Sequence, residues 1–465
     1  MSSHRENEVW TEAAVADVRA SEHTQVSASR HKAPFYKVLQ GMPIAVDAFR
    51  YGDIPGVTAY FLTHAHSDHY TNLSHSWKNG PIYCSDVTAK LITHMLSIDP
   101  RWVHPLPMDV PTIIPNTGGV SVTLIEANHC PGSCLFLFEG LQTVDAGGSA
   151  YKSRFVGSSK TFRYLHCGDF RASPRHVLHP SVKNKRMDHV YLDTTYLDPK
   201  ARTKYDFDKF LLLQYTFPPQ SLVISACAEL AQKISSQSSS EGGVLVVVGT
   251  YSIGKERIVK GKSCSSSSAH LLTGCHSAIA RVLQTKIYCD ARKAAILRCQ
   301  NDSELHDMLT SDPIEGKVHL LPLGMIVSDK LKIYLERFKG TYCRIVGFRP
   351  TGWTYTAPVG SNPCPPISTV ISASQHRPFT FSNLKPMQKS SHVIQLYGVP
   401  YSEHSSFFEL TCFALSLDWA KIIATVNVGS ESSRAKINKW VQHWEVEKKK
   451  RPSDIIVEYR GLDYW

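Results

Sequence analysis

The segment Phe61–Leu73 reads FLTHAHSDHYTNL and sets three histidines and an aspartate within six residues: His64, His66, Asp68 and His69. The residues before it, VTAYFLT, are β-branched and aromatic and predict a buried strand. The polar cluster then falls on the loop at the strand's end. His64 and His66 alternate with Ala65 and can face the same way, and Asp68 and His69 follow as the chain turns. Neutral imidazoles and a carboxylate are good ligands for zinc and similar divalent ions. Four such side chains at this spacing can serve two adjacent cations.

A dinuclear site needs further ligands, and other predicted strand ends supply them. VTLIEANHCPGS ends at His129, where Pro131 and Gly132 force a turn. FRYLHCGDFRAS ends at Gly168-Asp169, HVYLDTTYLD at Asp193 and IQLYGVPYSEHSSF at His404. Taken singly, a histidine or aspartate at a strand end is a cap or a satisfied core group. In this order they form a series. Cys130 and Cys134 in the same HCPGSC stretch read as buried packing rather than as a zinc site.

The series resembles the metallo-β-lactamase fold in its β-CASP subgroup of nucleases. THAHSDH matches the family's signature, and ANHCPGS, HCGDF, LDTTY and YSEHSS match its later motifs. VDAFRYG matches the early aspartate motif, with Asp47 behind the ligands. APFYKVL, GTYSIGKE, FRPTGW and PYSEHSS are similar to the DNA cross-link repair 5′-exonucleases, relatives of Artemis and Apollo. The similarity runs from about Ala33 to about Trp444.

This resemblance implies that His64, His66 and His129 hold one cation. Asp68, His69 and His404 would hold a second, with Asp169 bridging and Asp193 orienting groups nearby. Zinc is the expected metal, with magnesium or manganese as alternatives at the second position. The catalytic set is then Asp68, Asp169, Asp193 and His404, and proton transfer to the leaving group falls to His404 or Asp193. RNA-processing members carry a further histidine where this chain has Val426, a departure that marks the DNA-directed branch.

The implied architecture is α/β: an αββα sandwich with an inserted α/β β-CASP cap. The expected boundaries are a flexible leader over 1–32, the sandwich over 33–199, the cap over 200–386, and the rest of the sandwich with a C-terminal tail over 387–465. GGVLVVVGTY, GKVHLLPL and YCRIVGFRP read as cap strands, and the Pro- and Gly-rich RPTGWTYTAPVGSNPCPP as a long loop. GTYSIGKE also approximates a phosphate-binding P-loop, but Glu256 stands where Ser or Thr would hold magnesium. A small-residue loop before a helix still suits an anion. Ser252 and Lys255 are therefore candidates for a 5′-terminal phosphate, with Tyr196 and Arg349 as further phosphate contacts. Residues 261–277 interrupt a helical face formed by Ile258, Val259, Ile279, Val282 and Leu283. That segment reads as a surface loop or, preferably, as a gene-model error such as a retained intron.

Lys and Arg exceed Asp and Glu by 51 − 40 = +11, which suits a polyanionic partner. No apolar run is long enough to span a bilayer. Twelve cysteines show no CxxC pair and read as reduced thiols. EKKKRPSD suits either a nuclear-import signal or a solvated helix end. The whole implies a nuclear, metal-dependent 5′-to-3′ exonuclease on single-stranded or cross-linked DNA with a 5′-phosphorylated end, alongside repair factors. The alternatives are a hairpin- or flap-opening endonuclease of the same subgroup, a non-catalytic repair scaffold and a small-molecule hydrolase.

Overall fold

The computed structural model describes residues 3–22, 32–197, 216–237, 242–261, 278–352, 366–374, 378–452 and 455–465. The chain divides into two compact units, Met1–Asp198 with His404–Trp465, and Pro199–Glu403.

The first unit holds two sheets. One is all parallel, in the order β1 (Ile44–Val46), β2 (Ala59–Phe61), β3 (Ile82–Ser85) and β4 (Val103–Leu106). The other contains β5 (Thr112–Ile113), β6 (Ser121–Glu126), β7 (Cys134–Leu141), β8 (Thr161–His166) and β9 (Met187–Leu192), and closes with Trp419–Ala424 beside β9. Its first four strands are antiparallel and its last three parallel. The sheets meet face to face through aromatic side chains. Phe61 of β2 lies with its ring centroid 5.3 Å from that of Phe136 and 4.9 Å from that of Phe138, both on β7. Helices Asp86–Leu96, Phe407–Ser416 and Glu431–Lys448 complete the αββα arrangement.

The second unit is built on one parallel sheet. Its order is Leu309–Thr310, Ile287–Tyr288, Val318–Pro322, Gly243–Thr250, Tyr342–Pro350 and Ile394–Val399. The apolar run VLVVV is what a strand covered on both faces requires. Val244, Val246 and Val248 pack with the helix Gln220–Ser236, while Leu245 and Val247 pack with Leu331, Tyr334 and Leu335 of the helix Ser328–Glu336.

Several expectations change. The strand Ile394–Val399 pairs with Tyr342–Pro350, so the sheet carries the second unit past 387 to Glu403. His404 accordingly sits beyond that strand, on the turn before Phe407–Ser416. The leader expected over 1–32 is a helix from Ser3 to Glu22. Val9, Ala13 and Ala16 form its buried face, an i, i+4, i+7 stripe hidden among polar residues. The Trp10 ring packs 4.7 Å from that of Phe35, and the Asp17 carboxylate accepts hydrogen bonds from the Tyr36 (2.7 Å) and Tyr51 hydroxyls. Burial first, and Asp17 second, push both tyrosine hydroxyls far above their usual pKa.

Ile258 and Val259, on the helix Arg257–Lys260, and Ile279, on the helix Ile279–Val282, share one core cluster, with Val282 and Leu283 packed against it. Residues 262–277 of the interrupting segment, and most of the loop expected after Arg349 (353–365), lie outside the described residues. The basic run ends the helix Glu431–Lys448: Lys448 pairs with Asp418, Lys449 with Glu445, and Lys450 and Arg451 with Glu447. No helix among the described residues is long and apolar enough to cross a membrane.

Asp17→Ala removes the acceptor of two buried hydroxyls and should lower the unfolding free energy by about 1–3 kcal/mol. Urea denaturation measures this. An unchanged midpoint would show that the helix does not dock as described.

Candidate metal centre

Every ligand expected in the first unit arrives on a loop that leaves a strand end, except His404. The loop after β2 carries residues 63–69, that after β6 carries His129, that after β8 carries Asp169, and that after β9 carries Asp193. His404 is held against the β8 loop. Ser405 N–H and Oγ–H both donate to the Phe170 carbonyl at 2.9 Å, and Ala172 N–H donates to Ser405 Oγ at 2.9 Å. Arg171 Nε meets Glu409 Oε1 at 2.9 Å, with both side chains buried, and the second Glu409 oxygen caps the helix at Ser406. Glycine is required at 168: its φ is +56°, and an added Cβ would meet the Thr63 side chain at 2.8 Å.

Three imidazoles converge first. His64 Nε2 and His129 Nε2 lie 2.9 and 3.1 Å from His66 Nδ1. Beside them, Asp169 Oδ2 stands 3.2 Å from His69 Nε2, 3.9 Å from His64 Nε2 and 4.0 Å from His404 Nε2. Asp68 reaches the edge of the cluster, with Oδ2 3.6 Å from His69 Nε2 and its side chain 76% exposed.

The outer nitrogens of three of these rings are fixed by partners. The Thr63 hydroxyl donates to Asp47 Oδ2 at 2.7 Å, so it accepts from His64 Nδ1–H at 3.0 Å. Asp47 Oδ2 also accepts from His69 Nδ1–H at 2.7 Å. Asp193 Oδ2 accepts from His404 Nδ1–H at 2.9 Å, while its other oxygen is held by Thr195 N–H and Oγ–H. Each such contact turns the inner nitrogen towards the cluster. That is the arrangement by which metal-ligating histidines are oriented.

The electrostatics agree. Burial, then the neighbouring His69, His66 and His129, push the His64 ring well below its ordinary pKa. Burial acts against charge on His69 too, but Asp169 and Asp47 outweigh it and hold that ring well above. At Asp169 burial is outweighed by His69 and His404, which keep its carboxyl well below the usual range. Positive charge is thus favoured at the carboxylate end of the cluster. Imidazole nitrogens facing a buried carboxylate form a donor set that fits divalent cations, in groups His64–His69–Asp169 and His129–Asp169–His404 beside the three converging imidazoles.

Tyr196 borders this cluster, its ring 6.1 Å from that of His404. Val426 lies just past the strand Trp419–Ala424, and its carbonyl accepts from the Thr194 hydroxyl. Thr63, Ser405 and the Arg171–Glu409 pair were not singled out from sequence. Each sits inside or beside a recognised motif, and that adjacency was the available signal.

The other expected residues belong to the second unit, at the carboxyl ends of its parallel strands. Ser252 is exposed after Gly243–Thr250, and Arg349 lies near the end of Tyr342–Pro350. Arg349 acts on the Tyr251 hydroxyl, whose pKa burial and Glu403 raise and the guanidinium lowers. The Lys255 ammonium lies 4.7 Å from the centre of the Tyr251 ring.

The backbone cradle expected here is already filled. Gly254 N–H donates to the Glu256 carboxylate and Lys255 N–H to Glu403 Oε1 at 2.8 Å. The helix that follows, Arg257–Lys260, has only four residues, and Lys255 has a φ of +73°. Glu256 therefore organises the loop from within, together with Lys293 at 2.5 Å. The Lys255 side chain is buried, and burial lowers its pKa against the opposing pull of Glu403 and Glu256.

Comparison with known proteins is consistent with this geometry. Residues 303–430 match the family described as DNA repair metallo-beta-lactamase. The chain is 41% identical over 425 residues to the DNA cross-link repair protein pso2/snm1 of Schizosaccharomyces pombe, covering 91% of this chain and 66% of that one. It is 36% identical to the DNA cross-link repair protein SNM1 of Arabidopsis thaliana, covering 88% and 69%. It is 28% identical to the 5' exonuclease Apollo of Gallus gallus, covering 84% and 63%. The chain thus spans about two thirds of the length of each of these relatives. With the fold, the cluster and this similarity in register, the chain belongs to the DNA cross-link repair family of metallo-β-lactamase proteins.

Proposed function

We propose that the protein is a metal-dependent 5′-to-3′ DNA exonuclease acting in interstrand cross-link repair in the nucleus, with zinc as its metal. The observation that carries the reading is the set of imidazole nitrogens gathered around the buried Asp169. Relatives named for cross-link repair and for 5′ exonuclease activity give it its substrate class.

His64, His66 and His129 would hold one cation and Asp68, His69 and His404 the other, with Asp169 shared. Zinc is expected at both positions, with magnesium or manganese as alternatives at the second. Bound divalent cations supply a nucleophile at neutral pH and neutralise charge on the scissile phosphate. The chain's own side chains then divide into two sets. Asp47 and Asp193 are positioning residues: each carboxylate fixes a ring N–H and so aims His69 and His404 inward. Asp193 would then act through His404, whose Nδ1 lies 2.9 Å from its Oδ2. Asp68 would hold its cation from the exposed rim of the cluster, its Oδ2 3.6 Å from His69 Nε2. In the second unit, Lys255 and Arg349 supply charge for a phosphate, with the Ser252 hydroxyl beside them. The excess of 51 − 40 = +11 cationic side chains favours DNA through its backbone, largely without sequence preference.

His69→Ala or Asp68→Ala should cut nuclease activity at least about a hundredfold, a barrier increase of roughly 2.7 kcal/mol. A 3′-labelled 5′-phosphorylated strand reports this. Full activity of either variant after chelation would remove the two-cation reading.

Asp193→Asn keeps the size of the side chain but weakens its hold on His404. The metal concentration for half-maximal activity should rise about 10–100-fold, and excess zinc should restore the rate. An unchanged requirement would leave Asp193 without a positioning role.

A terminal phosphate carries more charge than an internal one. A 5′-hydroxyl strand should therefore be cut at least about tenfold more slowly, matching one lost charge-assisted contact of roughly 1.5–3 kcal/mol. Lys255→Ala should erase most of that difference. Equal wild-type rates on the two strands would favour an endonuclease. A preference retained in the variant would assign the contact to Arg349 or Tyr196.

A further inference from the structure

The strand Trp419–Ala424 ends its sheet, and among the described residues β9 is its one strand neighbour. A cleft of about 560 Å³, its open mouth included, runs along the other edge, where Ile422, Ile423 and Ala424 all line it. Successive side chains of a strand point to opposite faces of the sheet. Three in a row border one cleft only where it follows the strand's edge, and there the unpaired N–H and C=O groups lie. Thr425 N–H donates to the Leu192 carbonyl at the end of β9, at 3.0 Å. Alternation along the strand then turns the N–H groups of Ala424 and Ile422 away from β9 and towards the cleft.

The floor of the cleft is a row of aromatic rings with a cation at each end. The Trp10 and Phe35 ring centroids lie 4.7 Å apart, and those of Phe35 and Tyr151 4.9 Å. The Arg434 guanidinium stands 5.1 Å from the centre of the Trp10 ring, and the Lys421 ammonium 4.9 Å from that of Tyr151. Among the described residues the partners of both cations are neutral. Arg434 donates to the Val428 carbonyl at 3.0 Å and Lys421 to the Tyr151 hydroxyl at 2.9 Å. Each keeps further N–H donors for an anion, and no Asp or Glu is among the described residues that line the cleft. Arg434, Ile437, Asn438 and Val441 enter it as one i, i+3, i+4, i+7 stripe of the helix Glu431–Lys448.

We propose that this edge is a docking site for an extended segment of a partner protein, which adds as a further strand beside Trp419–Ala424. Its backbone pairs with the open edge, its apolar side chains lie on the aromatic row, and an acidic side chain meets each of Lys421 and Arg434. Strand addition of this kind draws affinity from main-chain hydrogen bonds and specificity from pockets for alternate side chains. Nucleic acid fits less well. Its bases need exposed rings on which to stack, whereas Phe35 and Tyr151 are buried. The surface uses no residue of the metal centre and stands or falls apart from the nuclease reading.

The test selects peptides from a random display library on the full-length protein and synthesises the enriched sequences. These should combine apolar residues at alternate positions with Asp or Glu. On the wild type they should slow hydrogen–deuterium exchange over Trp419–Ala424, a readout that needs no variant. Lys421→Glu and Arg434→Glu should each weaken binding at least about tenfold, as the loss of one charge-assisted contact requires. N-methylation of alternate peptide amides should abolish it, and cleavage of a 5′-phosphorylated strand by both variants should match the wild type. Enriched peptides without acidic residues, binding unchanged in both variants, or unaltered exchange over the strand would overturn the proposal. Protection of the same strand by a 5′-phosphorylated oligonucleotide, with slower cleavage by both variants, would also overturn it and assign the face to DNA.

Discussion

Asp169 is the group on which the rest of the structure depends. Its carboxylate is almost fully buried and faces three imidazole nitrogens within 4.0 Å. Burying an ionised carboxylate is costly unless opposite charge accompanies it. The protein supplies that charge only partly, through His69 and His404, whose outer nitrogens are already committed to Asp47 and Asp193. A divalent cation completes the balance. The cluster is therefore a place where the fold favours a cation, and the surrounding architecture keeps its donors together.

Two kinds of coupling do this. Within the first unit, parallel and antiparallel strands bring separate loops to one rim, so each ligand inherits its position from a sheet. His404 arrives from far along the chain and needs its own restraint. Ser405 and the buried Arg171–Glu409 pair stitch its turn to the loop of Asp169. Breaking a buried pair of this kind is typically costly, about 3–5 kcal/mol, because the remaining charge is left without a partner. The same contacts that stabilise the unit thus fix the separation of Asp169 and His404.

Much of this was legible in the sequence because candidate metal ligands at strand ends leave a chemical pattern as well as a periodic one. His64 to His69, His129, Asp169, Asp193 and His404 were all identifiable from residue type and motif, and the structure gathers them. The N-terminal helix was less legible, since its apolar stripe of Val9, Ala13 and Ala16 is narrow and two of its three residues are alanine. The end of the inserted unit was misplaced because a strand's sequence does not say which sheet it joins: Ile394–Val399 pairs with Tyr342–Pro350. The loop at Lys255 misled in another way. Its glycine and lysine suggest an anion cradle, but Glu256 and Glu403 take up the backbone N–H groups, and such tertiary pairing cannot be seen along the chain.

The most direct measurement of the central claim is anomalous diffraction at the zinc edge from crystals of the zinc-loaded protein. The account predicts two peaks about 3.5–4 Å apart, one among His64, His66 and His129 and the other among Asp68, His69 and His404, with Asp169 between them. Zinc bound elsewhere, or no ordered zinc in this cluster at saturating metal, would contradict it.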